Sequence, residues 1–235
     1  MKSVVIYVLK FMGLFNAVQY FKFKFEITNC ARKGKRRCES IMDLHQPYNK
    51  KLLFIHIPKA AGMSIVKKLY GKTESHHAFA QDYINEDSGK FNSSFSFSIT
   101  RDPYVRLSSA YLYLKSGGMN VIDQVWWDLY LKPYANFEDF ILNGGLKKAV
   151  ESNAEHFIPQ YKFVCDINNN VICDYIGKLE NIGGVERKLS EIVDRDILFS
   201  KENRNKGRGG EYTEEMRCVV SSVYSLDFEL FGYEK

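Results

Sequence analysis

The segment FIHIPKAAGMSI, residues 54–65, combines a single cation with small residues between two apolar runs. The first run ends at Pro58, Lys59 follows, and the second run resumes around Gly62 and Ser64. A strand that enters a helix through such a turn directs several backbone N–H groups and the positive end of the helix dipole at one point. Lys59 adds a full positive charge, and Ser64 adds a hydroxyl donor. The segment therefore predicts an anion-binding turn.

Every residue of this turn is a candidate for contact with the anion. The candidates are Pro58, Lys59, Ala60, Ala61, Gly62, Met63 and Ser64. Their order differs from the nucleoside triphosphate pattern GxxxxGK[ST], in which the lysine follows the glycines and directly precedes serine or threonine. An ATPase or GTPase is disfavoured for that reason. The alternative that stays open is an ordinary strand-to-helix connection with an exposed lysine.

A second cationic motif, TRDPYVRLSSAY, occupies residues 100–111. It places Arg101 at the predicted end of a strand, and Ser108 and Ser109 in the helix that follows. A guanidinium binds phosphate through paired N–H donors. Two anion sites at neighbouring strand ends predict a ligand with two separated phosphates. The alternative is that Arg101 pairs with Asp102 or another acid.

The two motifs belong to two similar strand–turn–helix units. LLFIHI at 52–57 and SFSFSIT at 94–100 are typical of strands, and each precedes a predicted helix. Further along the chain, the patterns predict helices at 121–150, 181–193 and 213–226, and a hairpin or paired strands at 161–178. This alternation predicts an α/β fold with a central parallel sheet flanked by helices.

The bulk composition suits one domain with appendages. The 235 residues are 45% hydrophobic, and 33 basic residues against 28 acidic ones give a formal charge of +5. This excess is compatible with an anionic ligand or a membrane surface, but it does not indicate nucleic acid. The five cysteines include no closely spaced CxxC pair, so we predict no metal site. A hairpin in VCDINNNVIC would set Cys165 opposite Cys173, and a disulfide there would need an oxidising compartment.

Residues 1–50 are predicted to form an apolar helix and a basic tether, separate from a domain at 51–235. The apolar run at 4–21 is interrupted by Lys10 and reaches only the lower end of the roughly 17–25 residues that span a bilayer. We favour an interfacial helix, with a membrane anchor and a helix docked on the core as alternatives. The basic residues within 22–37 favour a cytoplasmic location for the rest of the chain.

The motifs resemble those of sulfotransferases that use 3′-phosphoadenosine 5′-phosphosulfate (PAPS). FIHIPKAAGMSI is similar to the 5′-phosphosulfate loop, and SFSITRDPYVRLSSAY to the 3′-phosphate motif. The resemblance is closest to the carbohydrate group, which includes the heparan 2-O and chondroitin enzymes and many bacterial relatives. HFIPQYKFV, DYIGKLENI and YSLDFELFGY extend it over residues 51–235 in the family's order. It implies a three-layer, P-loop nucleotide-kinase-like fold with the donor at the carboxyl ends of the strands.

The resemblance also implies roles for individual residues in binding the donor. Lys59 matches the lysine at the bridging oxygen and the leaving phosphate, and the backbone around Gly62 and Ser64 would hold the 5′-phosphate. Arg101 and Ser109 match the ligands of the 3′-phosphate. Gln160 and Glu180 lie in family-like contexts, without a role that the sequence supplies.

Sulfuryl transfer needs a base for the acceptor's proton and positive charge over the leaving phosphate, and it requires no metal. Relatives carry a histidine between the two donor motifs, where this chain has SHHAFAQDY. We predict that His77 is the general base, with His76 as the second candidate. The alternative is a histidine pair on the surface of a loop. His56, inside the strand, is interpreted as a buried residue of the core or beside the site.

The sequence therefore predicts in-line transfer of a sulfuryl group from PAPS to a hydroxyl, expected to be that of a saccharide or glycolipid. The family often has threonines where this chain has Ala60 and Met63, so we expect weaker donor affinity. The same two residues keep open a nucleotide-binding or membrane-docked relative without turnover, and a P-loop kinase is a third possibility. The expected location is cytoplasmic at an inner membrane, or the Golgi membrane if residues 4–21 span.

Two further features have alternative interpretations. Trp126 and Trp127 either stack against sugar rings or pack in a helical core, and we favour the core. The loop at 200–213 carries Lys201, Arg204, Lys206 and Arg208. It either closes over the donor, contacts an acidic acceptor, or is a solvated loop.

Overall fold

The computed structural model of the chain describes residues 14–35, 52–72, 75–199 and 211–235, together with positions 6 and 10. These residues fall into two compact units. The helical unit contains the N-terminal helix and residues 110–157, and the sheet unit contains the described parts of 52–109 and 158–235.

The sheet unit is built on three parallel strands. They are β1 (Leu52–Ile55), β2 (Phe95–Thr100) and β3 (Tyr175–Lys178). The central strand is β2, in which Phe97 lies opposite Phe54 on one side and Tyr175 on the other. Both predicted strand–turn–helix units are present, so the predicted parallel sheet flanked by helices is confirmed.

Helices account for most of the remaining described residues. In chain order they are α1 (Phe15–Arg32), α2 (Gly62–Tyr70), α3 (Ala80–Glu86), α4 (Ser88–Asn92), α5 (Pro103–Lys115), α6 (Val121–Trp126), α7 (Phe137–Leu142), α8 (Gly145–Glu151), α9 (Tyr161–Val164), α10 (Ile182–Val193), α11 (Glu214–Val223) and α12 (Ser225–Phe231). A π-helical turn follows α6, and short 3-10 turns precede α9 and α10.

The alternation of side chains along β1 creates two apolar cores, one on each face of the sheet. Leu52 and Phe54 belong to a cluster that includes residues of α2 and α10. Leu53 and Ile55 belong to another, with residues of α3, α9 and α12. Helices on both faces explain why every residue of β1 is apolar, because a strand covered on both sides has no solvent-facing positions.

The segment at 161–178 differs from the predicted pair of strands. Residues 161–164 form α9, and β3 pairs in parallel with β2. A tight turn follows α9, with an isolated antiparallel bridge between Cys165 and Val171. This register offsets Cys173 from Cys165, and both cysteines are free, so the conditional disulfide is not formed in this structure. The predicted final helix is also interrupted, at Tyr224 between α11 and α12.

The helical unit has an aromatic core and a buried acid. The Tyr20 hydroxyl of α1 donates to Asp128 at 2.9 Å. Asp123 is buried and accepts hydrogen bonds from the Tyr113 hydroxyl and from the backbone N–H of Met119. His156 Nε2 lies 3.0 Å from Asp123 Oδ1. Burial acts to raise the pKa of Asp123, but these partners outweigh burial, so the pKa is lowered.

Within the described residues, no helix has the length and apolar character needed to cross a membrane. Part of the apolar run predicted at 4–21, at positions 4, 5, 7–9 and 11–13, lies outside the described residues, as do the basic residues after Lys35.

Candidate functional site

The turn after β1 has the backbone form of an anion-binding loop. Lys59 has a φ of 69° and Ala61 a φ of 61°, both in the left-handed region, and α2 begins at Gly62. The Ala60 N–H donates to the Ile57 carbonyl at 3.3 Å, which closes the turn before the helix. Alternating left-handed residues before a helix make successive N–H groups converge, and such concave backbone binds anions in many proteins. The conformation therefore fits the predicted role of the turn.

A close approach between the turn and His56 explains why position 62 is glycine. A Cβ atom built at Gly62 would lie 1.8 Å from His56 Nε2. The His56 ring is 4% exposed, and its Nδ1 lies 2.5 Å from Ser75 Oγ. It therefore bridges the turn and the segment that carries the two predicted bases. The interpretation of His56 as a buried residue is confirmed.

His77 lies against this assembly. Its ring meets the His56 ring edge to face, with the centroids 4.5 Å apart. His76 and His77 are both half-buried, so neither is a fully solvated surface residue. His77, the first predicted base, therefore contacts the His56 ring, and the His56 ring in turn lies against the turn at Gly62.

Arg101 connects the two predicted phosphate motifs. Its Nη1 donates to the carbonyl oxygen of Lys59 at 3.2 Å. Partial burial lowers the pKa of the guanidinium, while Glu180 and Asp102 oppose that shift, and an arginine remains charged in either case. The cation thus lies beside the Lys59 turn at the carboxyl edge of the sheet.

The Gln160 side chain hydrogen-bonds both the N–H and the carbonyl of Arg101. Its side-chain amide donates to the Arg101 carbonyl at 2.8 Å and accepts from the Arg101 N–H at 2.9 Å. Gln160 is completely buried, and its own N–H donates to Asp227 at 2.8 Å. The Tyr161 N–H donates to the other carboxylate oxygen of Asp227, also at 2.8 Å. A side chain on α12 therefore fixes the residue that positions Arg101.

Arg106 is buried beneath the site. Its Nε donates to the Pro58 carbonyl at 3.0 Å, and its Nη2 donates to the Ile158 carbonyl at 2.9 Å. The side chain is 2% exposed, so it supports the turn from below. Burial raises the pKa of Asp227 to about 6, with the Arg106 charge and the two backbone N–H groups opposing the shift.

Glu180 ties the second motif to the carboxyl terminus. Its Oε1 accepts from the Asp102 N–H at 2.9 Å, and its Oε2 accepts from the Tyr233 hydroxyl at 3.2 Å. Asp102 in turn caps α5 by accepting from the Val105 N–H at 2.9 Å. These contacts give Glu180 a role in positioning the turn between β2 and α5.

The remaining predicted donor residues occupy varied environments. Ala60 is buried in the apolar cluster on one face of β1, so its methyl group packs in the core. Ser64 is half-buried in the first turn of α2, and Met63 beside it is 36% exposed. Ser109 is half-buried in the second turn of α5. Pro58 is buried, and its carbonyl serves Arg106.

Sequence reasoning missed the supporting roles of Arg106, Gln160 and Asp227. One signal was available for Asp227, which lies beside Phe228 and between Tyr224 and Phe231 on the apolar face of α12. A charged residue on an apolar helix face indicates a buried polar contact. Nothing in the local pattern identifies its partners, which are 66 or more positions away.

Two other predictions have separate outcomes. Trp126 is buried against Tyr130, with ring centroids 5.7 Å apart, which confirms core packing for this residue. Trp127 is half-buried, with its ring centroid 6.2 Å from that of Tyr111. The cationic residues of the loop at 200–213 lie outside the described residues. Within the parts of the chain that the structure describes, no cluster of three or more His, Cys, Asp or Glu residues suits a metal ion.

Comparison with known families gives one match. A family model described as Sulfotransferase family matches residues 46–234, which contain the turn, both histidines, Arg101 and its supporting residues. A search of curated proteins finds no match.

Proposed function

Since the chain belongs to the sulfotransferase family, we propose that it transfers a sulfuryl group from PAPS to a hydroxyl of a saccharide or glycolipid. The observation that carries the proposal is the hydrogen bond from Arg101 Nη1 to the Lys59 carbonyl. It holds the two predicted phosphate-binding motifs together at the carboxyl ends of neighbouring parallel strands. A ligand with a 3′-phosphate and a 5′-phosphosulfate suits such a paired site. The saccharide acceptor rests on the resemblance of the motifs.

The reaction is an in-line displacement at sulfur. The acceptor oxygen forms the new S–O bond while the bond to the bridging oxygen breaks, and the electron pair remains on the 5′-phosphate of adenosine 3′,5′-bisphosphate. The Lys59 ammonium and the N–H groups of the turn stabilise that developing charge. Arg101 and Ser109 bind the 3′-phosphate and thereby fix the donor relative to the acceptor.

His77 takes the proton of the acceptor hydroxyl in this proposal, with His76 as the second candidate. Two observations support His77: its ring contacts His56, and the His56 ring lies against the turn at Gly62. General bases of this kind contribute roughly 10²–10⁴-fold to rate. We expect His77→Ala to lose about that factor in kcat while adenosine 3′,5′-bisphosphate binding is retained, and His76→Ala to lose much less. Near-normal turnover by His77→Ala would refute the assignment.

Two measurements distinguish a sulfotransferase from the other classes of protein. Isothermal titration with adenosine 3′,5′-bisphosphate, without Mg²⁺, should show binding that Lys59→Ala and Arg101→Ala weaken. Transfer of labelled sulfate from PAPS to a panel of saccharides and glycolipids should then show turnover. Binding without transfer to any acceptor would favour a relative that has lost catalysis. Preference for Mg·ATP would favour a P-loop kinase and overturn the proposal.

We propose a cytoplasmic location at an inner membrane, because the basic residues within 22–37 favour retention on that side. The Golgi membrane is the alternative if residues 4–21 span a bilayer. Protease protection of the intact chain in membrane vesicles tests this: the sheet unit should be digested from the cytoplasmic side only.

A further inference from the structure

One face of α1, together with its N-cap residue, carries a row of exposed apolar side chains. The row consists of Leu14, Val18, Phe21 and Phe25, which are 46%, 45%, 68% and 70% exposed. Their spacing of four, three and four residues puts them within about 60° of one another around a helix that turns about 100° per residue. We call these four residues the apolar stripe. Rows of exposed apolar residues on this scale indicate a binding surface.

The opposite face of α1 is already occupied. Ile27 is 1% exposed, and the Tyr20 hydroxyl donates to Asp128 of the helical unit. Both residues lie more than about 120° from the centre of the apolar stripe, again at about 100° per residue. One face of α1 is therefore packed against the helical unit, and the opposite face is exposed to solvent. The stripe is exposed although the helix is docked.

Basic residues border the apolar stripe on both sides. Lys22 and Lys24 are exposed and lie about 70–90° to either side of its centre. The Lys22 Nζ lies over the Phe23 ring and the Lys24 Nζ over the Tyr20 ring, at 5.6 and 5.7 Å from the ring centroids. Both ammonium groups thus lie behind the apolar row, on the flanks of the helix.

The charge of the whole segment has one sign. Residues 14–35 contain five basic residues and a single acid, Glu26. The basic residues are Lys22, Lys24, Arg32, Lys33 and Lys35. A second copy of this chain would bring an equally basic segment against this one, and like charges would oppose that pairing. An anionic surface is complementary to it.

From the apolar stripe and its basic borders we propose that α1 docks on an anionic lipid surface. The stripe enters the boundary between headgroups and acyl chains, while Lys22 and Lys24 remain at the level of the lipid phosphates. The docking surface lies in described residues 14–25 and requires no membrane-spanning segment. It is independent of sulfuryl transfer, so each proposal can fail alone.

The test uses the full-length protein and sedimentation with vesicles. We expect binding to vesicles that contain phosphatidylglycerol, weaker binding to pure phosphatidylcholine, and loss of the difference at high salt. The double variant Phe21→Ser/Phe25→Ser should reduce partitioning to phosphatidylglycerol vesicles by at least about tenfold. Lys22→Gln/Lys24→Gln should reduce the preference for phosphatidylglycerol and leave weak binding to phosphatidylcholine.

A matched control is Leu112→Ser/Met119→Ser, which changes two exposed apolar residues of the helical unit that are not part of the stripe. It should bind vesicles like the wild type, and circular dichroism should show all variants folded. Undiminished vesicle binding by the Phe21/Phe25 variant would overturn the proposal. So would a wild-type dimer in analytical ultracentrifugation that becomes a monomer in that variant, because the stripe would then be covered by a second copy.

Discussion

At the scale of single residues, the Lys59 turn combines backbone strain with a close contact. Lys59 and Ala61 both adopt left-handed conformations that cost L-residues roughly 1–2 kcal/mol each. Evolution could have placed glycine at either position without a steric penalty. Gly62, in contrast, is required by the neighbouring His56 ring and not by a positive φ. The two kinds of constraint predict different responses to substitution.

The first prediction concerns the adjacent alanines. Ala61→Gly removes the left-handed penalty at an exposed helix N-cap, where glycine is well tolerated, so the free energy of unfolding should rise by up to about 1 kcal/mol. Ala60→Gly is the matched control. It removes a methyl group that packs in the core, and it should lower the free energy of unfolding by about 1–2 kcal/mol. Urea unfolding at pH 7 measures both changes. Equal losses in the two variants would contradict the role assigned to φ.

The second prediction concerns the contact between Gly62 and His56. Gly62→Ala should weaken adenosine 3′,5′-bisphosphate binding by at least about tenfold, because the new methyl group must displace either the turn or the ring. The ring cannot move freely, since it is bound to Ser75 and stacks on Phe54. Adding His56→Ala should restore part of the affinity. Titration calorimetry of both single variants and the double variant gives the coupling, and additive losses would show that the two residues act independently.

At the scale of secondary structure elements, the site depends on contacts among segments distant in sequence. The Arg101 backbone at the end of β2 is held by Gln160 before α9, and Asp227 on α12 holds the Gln160 backbone. Arg106 on α5 donates to two backbone carbonyls, that of Pro58 before Lys59 and that of Ile158 before Gln160. Segments distant in sequence are thus connected by polar contacts around the buried Gln160, Arg106 and Asp227 side chains, and such contacts specify one arrangement when every member is satisfied.

The third prediction follows from the position of Gln160. Gln160→Leu leaves the half-buried N–H and C=O of Arg101 without their partners, so the free energy of unfolding should fall by about 2 kcal/mol or more. Donor affinity should fall more than kcat, because the guanidinium loses its orientation while the predicted base is untouched. Gln81→Leu is the control, since Gln81 bonds only Asn85 among the described contacts, on the surface of α3. Similar effects of the two substitutions would exclude a positioning role for Gln160.

The elements that local sequence determines were predictable, and those set by distant partners were not. β1, α2, β2 and α5 are marked by apolar runs and by Gly71 and Pro103, which act within a few residues. β3 lay within the predicted paired strands, but its partner is β2 and not its neighbour in sequence. The four residues of α9 are too few to show a helical period.

The same distinction applies to the candidate site. Lys59 and Arg101 could be recognised because each lies shortly after a strand, four residues beyond β1 and directly after β2, and carries a charge of the sign that a phosphate requires. The contact of His56 with Gly62 could not, because it depends on how the turn folds back over the strand that precedes it. The partners of Gln160 follow from packing across the sheet unit, which no periodicity encodes.

At the scale of the whole molecule, the sheet unit buries a carboxyl group and a guanidinium group in the core that supports the site. Asp227 is completely buried and Arg106 nearly so. The charge of Arg106 acts to lower the pKa of Asp227, but burial acts more strongly and raises it to about 6. Ionisation of Asp227 therefore costs more in the folded chain than in the unfolded chain, where the carboxyl has its ordinary pKa of 3.8. This difference links global stability to pH.

The fourth prediction is the pH dependence of unfolding. The folded chain binds the Asp227 proton more tightly than the unfolded chain does. The stability that this proton contributes is therefore complete below the ordinary pKa of the carboxyl and is lost as pH rises through about 6. A shift of this size corresponds to roughly 3 kcal/mol. Asp227→Asn carries no titrating group, and its amide can replace only one of the two acceptor oxygens that Gln160 and Tyr161 use. It should be less stable than the wild type at pH 4, and the deficit should shrink towards pH 7.

Comparison of the two proteins isolates the contribution of Asp227, because every other titrating group, including Asp123 with its lowered pKa, is common to both. Urea unfolding at several pH values between 4 and 7 measures the difference in the free energy of unfolding. A difference that narrows with rising pH supports a buried carboxyl that is protonated in acid. Parallel profiles would mean that Asp227 is ionised throughout, and that Arg106 and the two backbone N–H groups together compensate for its burial.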